Sequence, residues 1–323
     1  MNRSRVFLAA YTCSGLAGLV YEVTWARLLT LYMGHTTAAA STVTAAFMGG
    51  LGLGAALGGR LAPHLSPRQA LYAYVLLELV VVLAALAIAL ALGSLTPILG
   101  WAYQDGESSV SFPLVRLLCC LAVLLLPAVA LGATFPIAVR WFVGSPAHPG
   151  SAAGRLYAAN TAGAAVGSLG AGFLLIPTIG LVGSTIAGIA ASGLSIAIVL
   201  TLARTEQSEA GATHLASQRI STTESKRRGP PRSPRTVQRE PALPGQEDRE
   251  RYRLAAIVLA LTGLATFLYE IAWTRVFSMS LGPSTYAFAA TLTSFVTGLA
   301  AGSFVGAAVA KRARPAFALA TTL

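Results

Sequence analysis

The chain has 323 residues, 55% of them hydrophobic and only 11% charged, against about a quarter charged in a typical soluble domain. Apolar runs of about twenty residues recur with no two-residue alternation, which excludes a soluble fold and a membrane barrel and predicts an all-α, polytopic transmembrane helix bundle. The net charge of +11 sits between the apolar runs, where membrane topology accounts for it, and no nucleic-acid-binding motif accompanies it.

In chain order, spans are predicted over 7–33, 36–60, 70–95, 112–140, 155–177, 180–203, 253–280 and 284–310, about eight in all. The first run is longer than a signal peptide, and Cys13 does not follow a lipoprotein-like sequence, so this run is read as a retained helix. The connections test the count. Arg3 and Arg5 precede the first span, and Gly34 and His35 follow it. Arg60 and Arg68 flank the next turn, Asp105 and Glu107 the third, and Arg140 and Arg155 the fourth. The turns near Pro177 and at Gly282–Pro283 carry no charge, while Lys311, Arg312 and Arg314 follow the last span. Basic and non-basic connections alternate without a break. By the positive-inside rule this predicts a multi-pass inner (plasma) membrane protein with both termini cytoplasmic.

Residues 204–252 differ in kind, being rich in Ser, Thr, Pro, Arg and Glu and including Lys226-Arg227-Arg228. This composition predicts a disordered basic cytoplasmic linker, acting as a solvated tether or resting on anionic headgroups. It divides the chain into a first six-helix repeat (1–203), the linker (204–252) and the first two helices of a second, truncated repeat (253–323).

The repeat itself is visible residue by residue. Gly15, Tyr21, Glu22, Trp25, Arg27, Phe47, Gly50, Gly54 and Gly58 recur as Gly263, Tyr269, Glu270, Trp273, Arg275, Phe295, Gly298, Gly302 and Gly306, all offset by 248 positions. Two helical repeats in the same orientation, joined by a long linker, are the plan of a facilitator-type transporter. The second repeat covers two spans rather than six, and the chain is therefore read as a fragment or an incomplete module.

Three acidic residues, Glu22, Glu78 and Glu270, fall inside apolar spans, where a charge costs about 2.5–3.5 kcal/mol and should face protein or water. Gly15, Gly18, Glu22 and Ala26 form one stripe of small residues, and Gly263, Thr266, Glu270 and Thr274 form its copy, so each Glu is expected on a packed face. Arg27 lies about 140° around the helix from Glu22, too far for a good intrahelical pair. Cross-repeat ion pairs are expected instead, Glu22 with Arg275 and Glu270 with Arg27. They are either a structural lock or a proton- or cation-sensitive centre, the alternative for the arginines being to snorkel to headgroups.

Tyr21 with Trp25, and Tyr269 with Trp273, share helix faces and could stack on a small cationic substrate or simply pack. Glu78, with Tyr72 and Tyr74 nearby and no repeat partner, is the weakest of these ion- or substrate-binding candidates. Asn160, beside Gly163, Gly167 and Gly170, is expected to hydrogen-bond a neighbouring helix. The glycines at 50, 54, 58, 298, 302 and 306 are expected to be close-packing seams. Cys13, Cys119 and Cys120 have no metal-ligand spacing, the four histidines are scattered, and no catalytic motif or cofactor-binding loop is present.

Three segments carry a resemblance: Ser14 to Arg27 with its Tyr-Glu-x-x-Trp-x-Arg core, Gly132-Ala133-Thr134-Phe135-Pro136, and Leu156 to Gly163. Together they resemble the membrane portion of spermidine-synthase-like membrane proteins, in which a facilitator-like bundle precedes an aminopropyltransferase-like domain. The resemblance implies a polyamine-related role and a cytoplasmic catalytic domain or partner protein. It carries over no catalytic residue, because none of that domain lies in this sequence. An independent secondary transporter of a small cation or metabolite, and a membrane scaffold for a cytoplasmic partner, are the alternatives.

Overall fold

A computed structural model describes residues 3–33, 37–91, 95–102, 111–143, 149–225, 246–282 and 284–312. The predicted turn at Gly34 and His35, the acidic residues Asp105 and Glu107, His148, the basic cluster from Lys226 to Arg232, Pro283 and Arg314 lie outside them. The described residues form α1 (Arg3–Met33), α2 (Thr37–Leu61), α3 (Pro67–Ala91), α4 (Leu95–Ala102), α5 (Ser111–Phe142), α6 (Pro149–Gly170), α7 (Ile176–Ser225), α8 (Gln246–Leu281) and α9 (Thr285–Arg312). No strand occurs among them. Helices are what an apolar solvent demands, since each satisfies its own backbone.

Seven helical segments are long and apolar enough to cross a membrane, and the protein is a multi-pass membrane protein. One of them, Gly150–Glu206, is 57 residues long, about twice what a crossing needs. It doubles back. A turn of π-helix, Ala171–Leu175, joins α6 to α7, and Gly180 then breaks α7 with φ 70° and ψ −174°, a backbone conformation open essentially to glycine alone. Before the break the chain runs parallel to α1: Asn160 Nδ2 donates to the Tyr11 carbonyl at 3.0 Å, and Gly163 and Gly167 abut Thr12 and Leu16. After it the chain runs antiparallel, with Gly188 against Tyr21 and the later residues Val199 and Ala203 clustered with Phe7 and Ala10. The single run therefore supplies two crossings, and the described residues make eight.

Close backbone contact at glycine organises the bundle. Gly50, Gly54 and Gly58 of α2 lie against Ala128, Val129 and Ala133 of α5, and Gly132 of α5 lies against the Leu51 carbonyl. The α2–α5 and α1–α6 pairs are both parallel, and in both a glycine row of one helix takes the backbone of the other. Small residues permit this approach, and van der Waals contact then holds helices that lipid would otherwise separate. The opposite surfaces remain apolar: on α3, Leu76, Leu79, Leu83 and Leu86 are exposed at helical spacing, a face for acyl chains.

The second hairpin docks unevenly. Helix α9 packs antiparallel on α6, with Ser168 and Thr293 hydroxyls 2.8 Å apart, Ala289 over Gly172 and Tyr286 beside Phe173. Helix α8 packs principally on α9, and the most apolar stretch within Arg253–Ser280 buries no side chain. One expectation changes here. Gly298 and Gly302 meet nothing within 4 Å, so the second glycine row is not a packed seam as its copy is. The backbone of α7 runs helical to Ser225 and that of α8 from Gln246.

Candidate functional site

Helix α1 presents three of the sequence-derived candidates to the interior. Tyr21 and Trp25, one turn apart, stack with ring centroids 5.1 Å apart and planes 12° from parallel, and the Trp25 ring meets Phe47 of α2 edge-on. Both are fully buried, and Gly188 admits the Tyr21 ring, since a Cβ there would come within 2.7 Å of it. This pair is core, shut off from any ligand that would stack on it. Its copy is not: Tyr269 and Trp273 are 63% and 48% exposed. Trp273, with Thr266, Phe277, Thr291, Phe295 and Leu299 among others, lines an open groove of ≈ 510 Å³ between α8 and α9. The difference lies in the surroundings, because α1 is enclosed by α6 and α7, whereas α8 has α9 on one side only.

Glu22 is buried, and its Oε1 has no hydrogen-bond partner. The charged side chain that acts on it is Glu270 of α8, which is half-buried. The expected cross-repeat pairs placed an arginine beside each glutamate; the group that acts on Glu22 here is the equivalent glutamate of the second repeat. Arg27 is half-buried on α1, and Arg275 has interactions of its own. Two acidic side chains from equivalent positions of the two repeats thus act on each other.

Glu78, the least favoured candidate on sequence grounds, has the most developed surroundings. It is completely buried on α3 and accepts a hydrogen bond from the Ser14 hydroxyl of α1 at Oε1. Tyr74, one turn earlier, and Ser192 of α7 bring hydroxyls to the same carboxylate, and Tyr74 shares a 2.9 Å hydrogen bond with Ser195. The signal was present as Tyr74–Glu78 at i, i+4 and Ser192–Ser195 at i, i+3, both polar pairs on single faces of apolar helices. Tyr72, by contrast, points outward, with Arg68 over its ring at 5.7 Å. Sequence reasoning also passed over Arg116, an arginine within an apolar run that is buried at the start of α5, its guanidinium 4.6 Å from the Phe112 ring centre.

Asn160 ties α6 to α1 through the Tyr11 carbonyl, and its own carbonyl lies where a side chain on Gly15 would collide with it. Among the described residues, no group of three or more His, Cys, Asp or Glu side chains is placed to hold a metal. No family model matches the chain, and no curated protein or solved structure shows significant similarity to it.

Proposed function

We propose that this chain is a facilitator-like membrane module of a polyamine-related protein, resembling the membrane portion of the spermidine-synthase-like family, and that it binds a small organic cation between its two repeats. The observation that carries the reading is that Glu22 and Glu270, equivalent positions of a sequence repeat, are two acidic side chains close enough to act on each other. A cationic amine offers what the pair lacks, positive charge together with several N–H donors. The groove beside Trp273 and Phe277 gives such a ligand aromatic faces at the same end of α8.

The facilitator-like plan has support in the helix pairing. The parallel α1–α6 and α2–α5 contacts exchange under an inversion that relates the first three crossings to the next three, as in nested transporter repeats. The charge alternation of the connections supports cytoplasmic termini in a plasma membrane. Glu22 and Glu270 would then lie at the meeting of the two repeats, where a rocking bundle exposes a site alternately to either side.

The test uses the full chain, purified and reconstituted in liposomes. Binding of radiolabelled spermidine and putrescine is expected to be saturable and to fall at least tenfold, equivalent to about 1.4 kcal/mol, in Glu22→Gln and Glu270→Gln, with a thermal midpoint no lower than that of the wild type. Flux into the vesicles would favour transport, and binding without flux a sensing or delivery module. Equal binding by wild type and both variants would refute the reading.

A further inference from the structure

The Glu78 centre plays no part in the site between the repeats. Glu78 and Tyr74 come from α3, Ser14 and Tyr21 from α1, and Ser192 and Ser195 from α7, so three helices meet on a single carboxylate. Three of its oxygens have no hydrogen-bond partner: Glu78 Oε2, Ser192 Oγ and the Tyr21 hydroxyl, all on fully buried residues. These three are neighbours of one another, Ser192 lying against both the carboxylate and the Tyr21 hydroxyl. The titratable side chains facing Glu78 from the packed helices are the phenols Tyr11, Tyr21 and Tyr74, and none supplies positive charge.

We propose that Glu78, Ser192 and Tyr21, supported by Ser14 and Tyr74, bind one sodium-sized monovalent cation inside the first repeat. The donor set is all oxygen, which suits a hard cation and excludes the softer transition metals. One carboxylate balances one positive charge, whereas a divalent ion would leave an excess charge in the apolar interior. A cation seated among the three orphaned oxygens takes a lone pair from each. A proton on Oε2 is the competing occupant, since it can start a hydrogen-bond chain from Glu78 through Ser192 to the Tyr21 hydroxyl, whereas a water molecule leaves the carboxylate charge uncompensated. Tyr21 also gives the site a mechanical link, because it precedes Glu22 on α1 and stacks on Trp25. The site stands independently of the organic-cation reading and persists if that reading fails.

Thermal unfolding of the purified full chain in detergent, with sodium chloride titrated against choline chloride at constant ionic strength and alkaline pH, tests it. The expected result is a saturable rise in midpoint of roughly 5 °C when sodium exceeds its dissociation constant about a hundredfold. Glu78→Gln removes the response, and Ser192→Ala shifts the half-saturating concentration upward about tenfold. Equilibrium binding of radiosodium to the wild-type chain should reach one ion per chain, and this decides the matter if Glu78→Gln does not fold. Identical midpoints in sodium and choline, no saturable radiosodium binding, or stabilisation by acidification in place of sodium would each overturn the proposal, the last assigning the centre to a proton.

Discussion

Gly54 and Gly52 lie two residues apart on α2 and should respond oppositely to the same methyl group. A Cβ on Gly54 would stand 2.0 Å from the Val129 carbonyl oxygen and 2.8 Å from its carbon, while a Cβ on Gly52 meets nothing within 4 Å. Restoring a carbon–oxygen separation of about 3.3 Å requires α2 and α5 to part locally by about 1.3 Å. A gap of that size forfeits more than half of the dispersion energy along the seam, and overpacking of this kind costs about 1–3 kcal/mol. Gly52→Ala adds helix propensity on a lipid-facing surface and should be neutral or stabilising by up to about 1 kcal/mol. Denaturant titration of both variants in mixed micelles, followed by far-UV circular dichroism, reads the difference. Equal midpoints for the two variants would refute the close-contact account of the α2–α5 seam, and with it the parallel pairing on which the facilitator-like reading leans.

Gly180→Ala places a Cβ at φ 70°, and should cost about 1–3 kcal/mol and lower the thermal midpoint, although no neighbouring atom lies within 4 Å of the added carbon. Strain alone is at work there, and Gly180→Asn should cost as much, since ψ −174° lies outside the αL region that asparagine tolerates. Sidedness gives a separate check. Ser66→Cys, between α2 and α3, should react with a membrane-impermeant maleimide from the cytoplasmic side, and Ser284→Cys, between α8 and α9, from the opposite side. Labelling of both from one side would remove the eight-crossing topology. Cys119 and Cys120, buried within α5, should stay unreactive throughout.

The helical class, the crossings and the glycine rows of the first repeat could be read from the sequence because each rests on local chemistry. Length and hydropathy define a span, and Gly-x-x-x-Gly spacing defines a close-packing face whatever helix covers it. Which helix covers it is a long-range matter. The glycines of α2 and their copies on α9 are the same residues at the same spacing, yet Gly54 touches a carbonyl and Gly302 touches nothing. The Tyr21–Trp25 and Tyr269–Trp273 pairs diverge for the same reason. Glu78 was undervalued because α3 is apolar on every face: Leu71, Tyr74, Glu78, Val81 and Ala85 are buried, while Leu76, Leu79 and Leu83 are exposed. In lipid no amphipathic pattern separates inside from outside, so only the polar residues mark the inner stripe.

Glu22 and Glu78 together define the energetic problem this bundle must solve. Each costs about 2.5–3.5 kcal/mol on insertion scales, so the two approach the whole stability margin of a typical domain, about 5–15 kcal/mol. Glu22 acts on Glu270, and Glu78 is held by hydroxyls. Hydroxyl donors compensate part of a carboxylate's desolvation but supply no net charge. A scaffold would gain stability by exchanging either residue for Gln or Leu. What a neutral side chain cannot do is release and recapture a cation as helices shift, and α1 is the element through which such an event at one glutamate would be felt at the other. Tyr21 reaches toward Glu78 and Glu22 toward Glu270 from adjacent positions, about 100° apart on one rigid helix. A rotation or shift of α1 therefore moves both contacts together, so a change at Glu78 is expected to be felt at Glu22.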